Sequence, residues 1–327
     1  MAVYTHISRP QLEALLEDYS LGQLVEFKGI EGGIENSNYF VTLEQDGSQI
    51  GYVLTLFEEL GYDEMPFFVE LGQWLQARQV PVPFAIKDRN GIALKQLGGK
   101  PAFFQPRFHG QHVERAEITP EHCAEIGAAL ARFHLAGEEF YLRRQAQRGV
   151  FWWRRESQAI QHLLKPEDAE LLRQEVALFD ELRDKPFGLP LGTIHGDLFH
   201  DNALFAGDRL EAILDIYNAA TAFLLFDLAI VANDWCTDAQ GNVDPQREQA
   251  LTRAYAGVRP FSDEECAAWP KLTRTAAMRF WLSRLIPWLG VEQASRQGAE
   301  MRLKDPDELR RILLNRIAQP ASISPAG

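Results

Sequence analysis

The strand-forming residues of this 327-residue chain are concentrated in its first third, and that segregation restricts its fold more than any other feature. Runs rich in β-branched and aromatic residues cover 23–30, 39–44 and 50–57, separated by a polar, glycine-bearing turn over 31–38 and by Asp46-Gly47. A helical stretch over 63–79 stops at Val80-Pro81-Val82-Pro83, because proline removes a backbone donor and restricts the residue before it. Strands at 84–87 and 92–97 flank Asn90-Gly91, a hairpin signal, and another covers 102–108. Ahead of them, Ser8-Arg9-Pro10 opens a helix with Leu12, Leu15, Leu16 and Tyr19 on one face.

Past residue 107 helical periodicity takes over. Thr119-Pro120 starts a helix through 135 with Ile126, Leu130 and Phe133 on one side, and His134 reads as an ordinary helix-end histidine. Further helices cover 156–164, 166–182 and most of the chain from 223 on. Short β elements interrupt them at 192–194 and at 203–205, the latter paired with 210–214 across Gly207-Asp208. Strands first and helices after give an α+β chain, not an alternating one. The expected division is a β-rich lobe, 1–106, and a mainly helical lobe, 107–327, with a cleft between them.

Charge removes several function classes. With 46 acidic against 33 basic residues, the chain carries a net charge of -13 and repels both nucleic-acid backbones and anionic membranes. No apolar run approaches the roughly 20 residues that cross a bilayer. Cys123, Cys236 and Cys266 are odd in number and widely spaced, which supports neither a disulfide framework nor a zinc ribbon. The start, Met1-Ala2-Val3-Tyr4-Thr5-His6, lacks a basic-then-apolar leader. The expectation is a reduced, cytoplasmic protein with no nucleic-acid or membrane partner, and residues 319–327 read as a frayed tail.

The chemistry lies in Thr193-Ile194-His195-Gly196-Asp197-Leu198-Phe199-His200-Asp201-Asn202-Ala203, a loop held at both ends by β elements. Beyond the hairpin, Ile213-Leu214-Asp215-Ile216 puts an acid at the end of an apolar strand. Phosphoryl transfer asks a protein chiefly for positioning and charge neutralisation. Asp197 can accept a hydrogen bond from an acceptor hydroxyl, and Asn202 and Asp215 offer the oxygen ligands that Mg²⁺ prefers. Two other readings stand beside this one. The segment can be an ordinary turn capped by Asn202, or His200-Asp201 with His195 can ligate the metal of a phosphohydrolase.

His-Gly-Asp-x4-Asn followed by a strand-ending Asp resembles the motifs of the aminoglycoside phosphotransferase and choline kinase superfamily. That resemblance implies a protein kinase-like, two-lobed fold that uses ATP and Mg²⁺. It implies Asp197 as catalytic base, His195 as a brace of the loop, and Asn202 and Asp215 as Mg²⁺ ligands. The family covers ATP phosphates with the turn between its first two strands. Gly32, Gly33, Asn36, Ser37 and Asn38 are therefore the implied nucleotide contacts, the glycines for close approach and Ser37 or Asn38 for side-chain donors. One departure matters. The family's third-strand lysine has no counterpart in Tyr52-Val53-Leu54-Thr55-Leu56-Phe57, which offers only Thr55 near that slot; Lys28 or Lys95 are the steric substitutes, with ordinary surface lysines as the alternative reading of both.

Within that superfamily the chain resembles bacterial homoserine kinases along almost its full length. The likeness rests on Glu35-Asn36-Ser37-Asn38-Tyr39-Phe40-Val41, Asp215-Ile216-Tyr217-Asn218-Ala219, Phe226-Asp227-Leu228-Ala229-Ile230, Asn233-Asp234-Trp235-Cys236 and Arg279-Phe280-Trp281-Leu282-Ser283-Arg284-Leu285. It implies phosphorylation of L-homoserine on the way to threonine. Homoserine presents a carboxylate and an ammonium, so its pocket needs a cation and an anion. Arg279, ahead of Arg284, is the candidate for the first, Asp234 for the second, and Trp235 a further candidate contact. Core packing is the alternative for Trp235, as are internal acids for the arginines. The residues alone leave choline, methylthioribose or an aminoglycoside open as acceptor.

Overall fold

The computed structural model describes residues 3–30, 36–184, 188–291 and 303–325. Asp46 and Gly47 both take positive φ, 51° and 76°, the pairing that lets a two-residue turn follow the twist of its strands. This turn joins β2 (Asn36–Gln45) to β3 (Ser48–Phe57), with Asn38 opposite Thr55 and Tyr39 opposite Leu54. With β1 (Gln23–Gly29), β4 (Lys95–Leu97) and β5 (Lys100–Pro106) they form an antiparallel sheet in the order β1-β2-β3-β5-β4. Alternation gives the sheet two distinct faces. Tyr39, Val41, Leu43, Leu54, Leu56, Ala102 and Phe104 meet Leu12, Leu15 and Leu16 of helix α1 (Arg9–Leu16) in one core cluster. Asn38, Phe40, Thr55 and Gln105 lie on the opposite face, as does Lys28, which is exposed and opposite Phe40. Helix α2 (Met65–Ala77) follows β3, shorter than the predicted 63–79.

The predicted strands at 84–87 and 92–94 are not formed. Asp88 takes the backbone N–H groups of Asn90 and Ile92 on one carboxylate oxygen, both at 2.8 Å, which are donors a hairpin ladder would need. Its other oxygen accepts from Lys95 at 2.5 Å, and Lys95 also reaches Asp18 at 2.7 Å. Lys95 is thereby committed to closing the turn.

The described residues fall into two compact units, one running to His109 and the other beginning at Gly110. The second is built on α3 (Pro120–Glu138), α4 (Val150–Ile160), α5 (Pro166–Asp184), α6 (Leu224–Trp235), α7 (Pro245–Ala256), α8 (Asp263–Trp288) and α9 (Pro306–Ala318). Two ribbons interrupt them. In the first, β6 (Leu191–Ile194) pairs with β9 (Ala220–Phe223), and in the second, β7 (Ala203–Ala206) pairs with β8 (Arg209–Ile213). The sequence reading lacks β9, because Ala-Thr-Ala-Phe is too short to show alternation. Every residue of α6 is buried, as expected of a helix apolar on nearly all sides. No helix among the described residues is long and apolar enough to cross a membrane.

Candidate active site

Hairpin register brings the two proposed metal ligands together. Ala203 pairs with Ile213, and the Leu214 N–H donates to the Asn202 carbonyl at 2.8 Å, so Asn202 and Asp215 flank the open end of the β7–β8 ribbon. Asp215 is in the left-handed region, φ 55° and ψ 53°, a conformation that costs a non-glycine residue about 1–3 kcal/mol and clusters at functional sites. The Asn202 amide donates through Nδ2 to the Asp197 carbonyl at 2.8 Å, so its Oδ1 is the end that can accept. An amide oxygen and a carboxylate fit a hard divalent cation such as Mg²⁺.

His195 is fully buried, and burial holds its imidazole below the ordinary histidine range despite the nearby Asp227 charge. Neutral imidazole has one donor and one acceptor nitrogen. Nε2 donates to the Leu214 carbonyl at 2.8 Å, and Nδ1 accepts the Asp197 N–H at 3.2 Å. The ring thus ties Asp197 to the strand end that carries Asp215. Between them Gly196 takes φ 80°, and a Cβ there would stand 2.9 Å from the Asn218 carbonyl oxygen. Both ring nitrogens of His195 being engaged, the three-ligand phosphohydrolase arrangement loses one member. His200 Nδ1 lies 2.7 Å from Asp234, Asp201 pairs with Lys304 at 3.0 Å, and no three His, Cys, Asp or Glu among the described residues are placed to hold a metal together.

Helix α6 holds this loop along its length. Asp227 accepts the backbone N–H groups of His195 at 2.7 Å and Gly196 at 2.8 Å. Two turns further on, Asp234 accepts the His200 N–H at 2.7 Å. The Trp235 indole donates to the Leu198 carbonyl at 3.2 Å. Such buried carboxylates are tolerable only when fully partnered. Asp234 has Arg115 at 2.6 Å, and Arg115 also meets Glu308 at 3.0 Å. Asp227 has His134 at 3.0 Å, whose other nitrogen lies 2.7 Å from the Tyr255 hydroxyl. Burial pushes both carboxyls up, but these hydrogen bonds and charges outweigh it and hold them below the usual carboxylate range. His134 is therefore an interior member of α3 and a partner of the loop clamp, and the helix-end reading is corrected.

The substrate candidates separate on their partners. Asp234 spends its carboxylate on His200 and Arg115, so the expectation that it receives an ammonium gives way to an internal role. Trp235 is fully buried and braces Leu198, which accounts for it as packing and loop support. Arg284 pairs with Glu308 at 2.6 Å and donates to the Asp305 carbonyl at 3.0 Å, the internal-acid alternative. Arg279 lies on α8, buried. Its guanidinium lies 3.7 Å from the centre of the Phe280 ring, and Phe280 packs edge-on to Phe199 of the loop between β6 and β7 at 4.6 Å.

In the first unit, Gly32 and Gly33 lie outside the described residues. Asn36, Ser37 and Asn38 belong to β2, where the sequence reading has a turn. Ser37 is fully buried; its hydroxyl donates to Glu58 at 2.6 Å and accepts the N–H groups of Tyr4 and Thr5. A role as phosphate donor passes from it for that reason. Asn36 is buried as well, at 8 % exposure, whereas Asn38 is half-buried.

The phosphotransferase enzyme family matches residues 26–261. A homoserine kinase of Pseudomonas aeruginosa (strain UCBPP-PA14) is 41% identical over 316 residues, covering 97% of this chain and 96% of its own. The chain belongs to the phosphotransferase enzyme family. A homoserine kinase of Cupriavidus necator is likewise 41% identical, over 334 residues and 98% of each chain. Among solved structures, an amicoumacin kinase in complex with AMP-PNP and Ca²⁺ superposes on this phosphotransferase with TM-score 0.68 at 14% identity, over 97% of this chain and 95% of that one. A spectinomycin phosphotransferase in complex with ADP gives TM-score 0.65 at 14% identity over 94% of each. These structures establish the kinase-like α+β fold of the phosphotransferase expected from its sequence.

Proposed function

We propose that this phosphotransferase is a homoserine kinase, moving the γ-phosphoryl group of ATP to the side-chain hydroxyl of L-homoserine. Its near-full-length identity to curated homoserine kinases carries the reading. The loop supplies the mechanism. Asp197 orients the hydroxyl and takes its proton as the oxygen–phosphorus bond forms and the bond to the leaving ADP breaks. Asn202 and Asp215 hold Mg²⁺. When bound, that ion neutralises phosphate charge. His195 keeps Asp197 aimed by accepting its N–H, and an imidazole held neutral does so without competing for the proton. Arg279 takes the substrate carboxylate with a forked hydrogen bond. The reaction belongs in the cytoplasm, where ATP and free amino acids meet.

A coupled ADP-release assay across homoserine, choline, methylthioribose and an aminoglycoside tests the reading. Turnover on homoserine with the other three at background is expected; turnover on choline and none on homoserine would sink it. Arg279→Leu is expected to raise the KM for homoserine about 10- to 100-fold, the size of a lost charge-assisted hydrogen bond, and to change that for ATP far less. Equal wild-type activity on homoserine and on 3-aminopropanol, which lacks the carboxylate, would remove the Arg279 contact.

A further inference from the structure

We infer that Gln105, Thr55 and Asn38 form a hydrogen-bond relay that presents the Asn38 amide, as a neutral donor, to the polyphosphate of a nucleoside triphosphate. The inference rests on the kinase reading above and says how this chain binds phosphate without a lysine on β3. The three residues cross β5, β3 and β2 on the sheet face opposite the α1 core. Asn38 is directly opposite Thr55, and Thr55 is opposite Phe103, two positions before Gln105. Gln105 Nε2 donates to the Thr55 hydroxyl at 3.0 Å, and that hydroxyl donates to Asn38 Oδ1 at 2.7 Å.

A hydroxyl carries one proton and two lone pairs, so Thr55 accepts from Gln105 on a lone pair and gives its proton to the Asn38 oxygen. The receiving end of the Asn38 amide is then its oxygen, and the NH₂ end faces away from Thr55. Burial grades along the relay. Thr55 is 1 % and Gln105 8 % exposed, while Asn38 is half-buried, so the donor end lies nearest the surface. Two polar side chains buried within a sheet face are costly unless satisfied, and nothing in sheet packing calls for them there. On the same face Phe57 and Phe103 pack at 5.0 Å, and Phe40 lies under the Arg107 guanidinium at 4.0 Å. The relay is a polar strip beside the Phe57–Phe103 pair and Phe40. Lys95, one of the cations that sequence alone offers as a substitute, is tied to Asp88 and Asp18. A neutral amide suits phosphates whose charge a divalent ion already offsets.

Titration calorimetry of the full chain with AMP-PNP and Mg²⁺ reads this directly. Thr55→Val keeps the side-chain shape and breaks the relay; it is expected to raise the nucleotide Kd about two- to tenfold, with Thr55→Ser restoring it. In steady state its KM for ATP rises far more than its KM for homoserine. Asn38→Asp replaces the donor by a carboxylate and is expected to raise the Kd about tenfold or more. Wild-type nucleotide affinity in both Thr55→Val and Asn38→Asp overturns the relay. So does a Thr55→Val protein that melts earlier yet binds nucleotide as tightly, because the strip then serves folding alone. The titration contains no acceptor. A wild-type chain that binds nucleotide but leaves homoserine untouched would therefore count against the homoserine reading and not against the relay.

Discussion

Asp197→Asn is expected to lower turnover about 10²- to 10⁴-fold while the protein still folds and still binds ATP. The substitution is nearly isosteric, and two bonds that shape the loop use the backbone of Asp197. Its N–H donates to His195 Nδ1 at 3.2 Å, and its carbonyl accepts from Asn202 Nδ2 at 2.8 Å. Both survive the change. What is lost is a carboxylate able to draw the hydroxyl proton toward itself in the transition state. The kcat from ADP release, set beside a thermal melt and an AMP-PNP titration, separates the two effects. Turnover close to wild type in a folded, nucleotide-binding variant would remove the base from Asp197.

Asp227→Ala should act on stability first, costing about 3–5 kcal/mol. Asp227 is fully buried, and truncation strands the N–H groups of His195 and Gly196 together with the His134 ring. Each is a donor sealed from water, where an unmade hydrogen bond carries its whole desolvation cost. Urea unfolding followed by tryptophan fluorescence measures the loss. A change below about 1 kcal/mol, near the effect of an ordinary surface substitution, would show that the loop is held by something other than α6.

How much of this was readable from the chain follows the range of the interactions. The β7–β8 ribbon was legible because its runs flank Gly207-Asp208, but the register shift between Leu204 and Phe205, which sets Asn202 against Leu214 and so next to Asp215, was not. The sheet was legible except where a side chain overrode the pattern. Asn90-Gly91 does make a turn, but Asp88 captures the amides that pairing would have used. The clamp was not legible. Asp227 and Asp234 stand out as acids in an apolar helix, yet nothing local says that one meets His134 and the other His200 and Arg115, far away in sequence. Arg115 and Gln105 carried no signal at all. For Ser37, strand membership comes from pairing with Leu56, and its hydroxyl is taken up by Glu58 and by the N–H groups of Tyr4 and Thr5, contacts that no local pattern announces.

The fastening of the loop to one interior helix also bears on heat. Catalytic loops commonly loosen before the rest of a protein, because exposed segments open at little free-energy cost. Here the segment from His195 to His200 is bonded at successive points to a helix with no exposed residue. It has no independent way to melt. Inactivation on warming is thereby coupled to unfolding of the helical unit as a whole, and the enzyme keeps its working geometry until that unit fails.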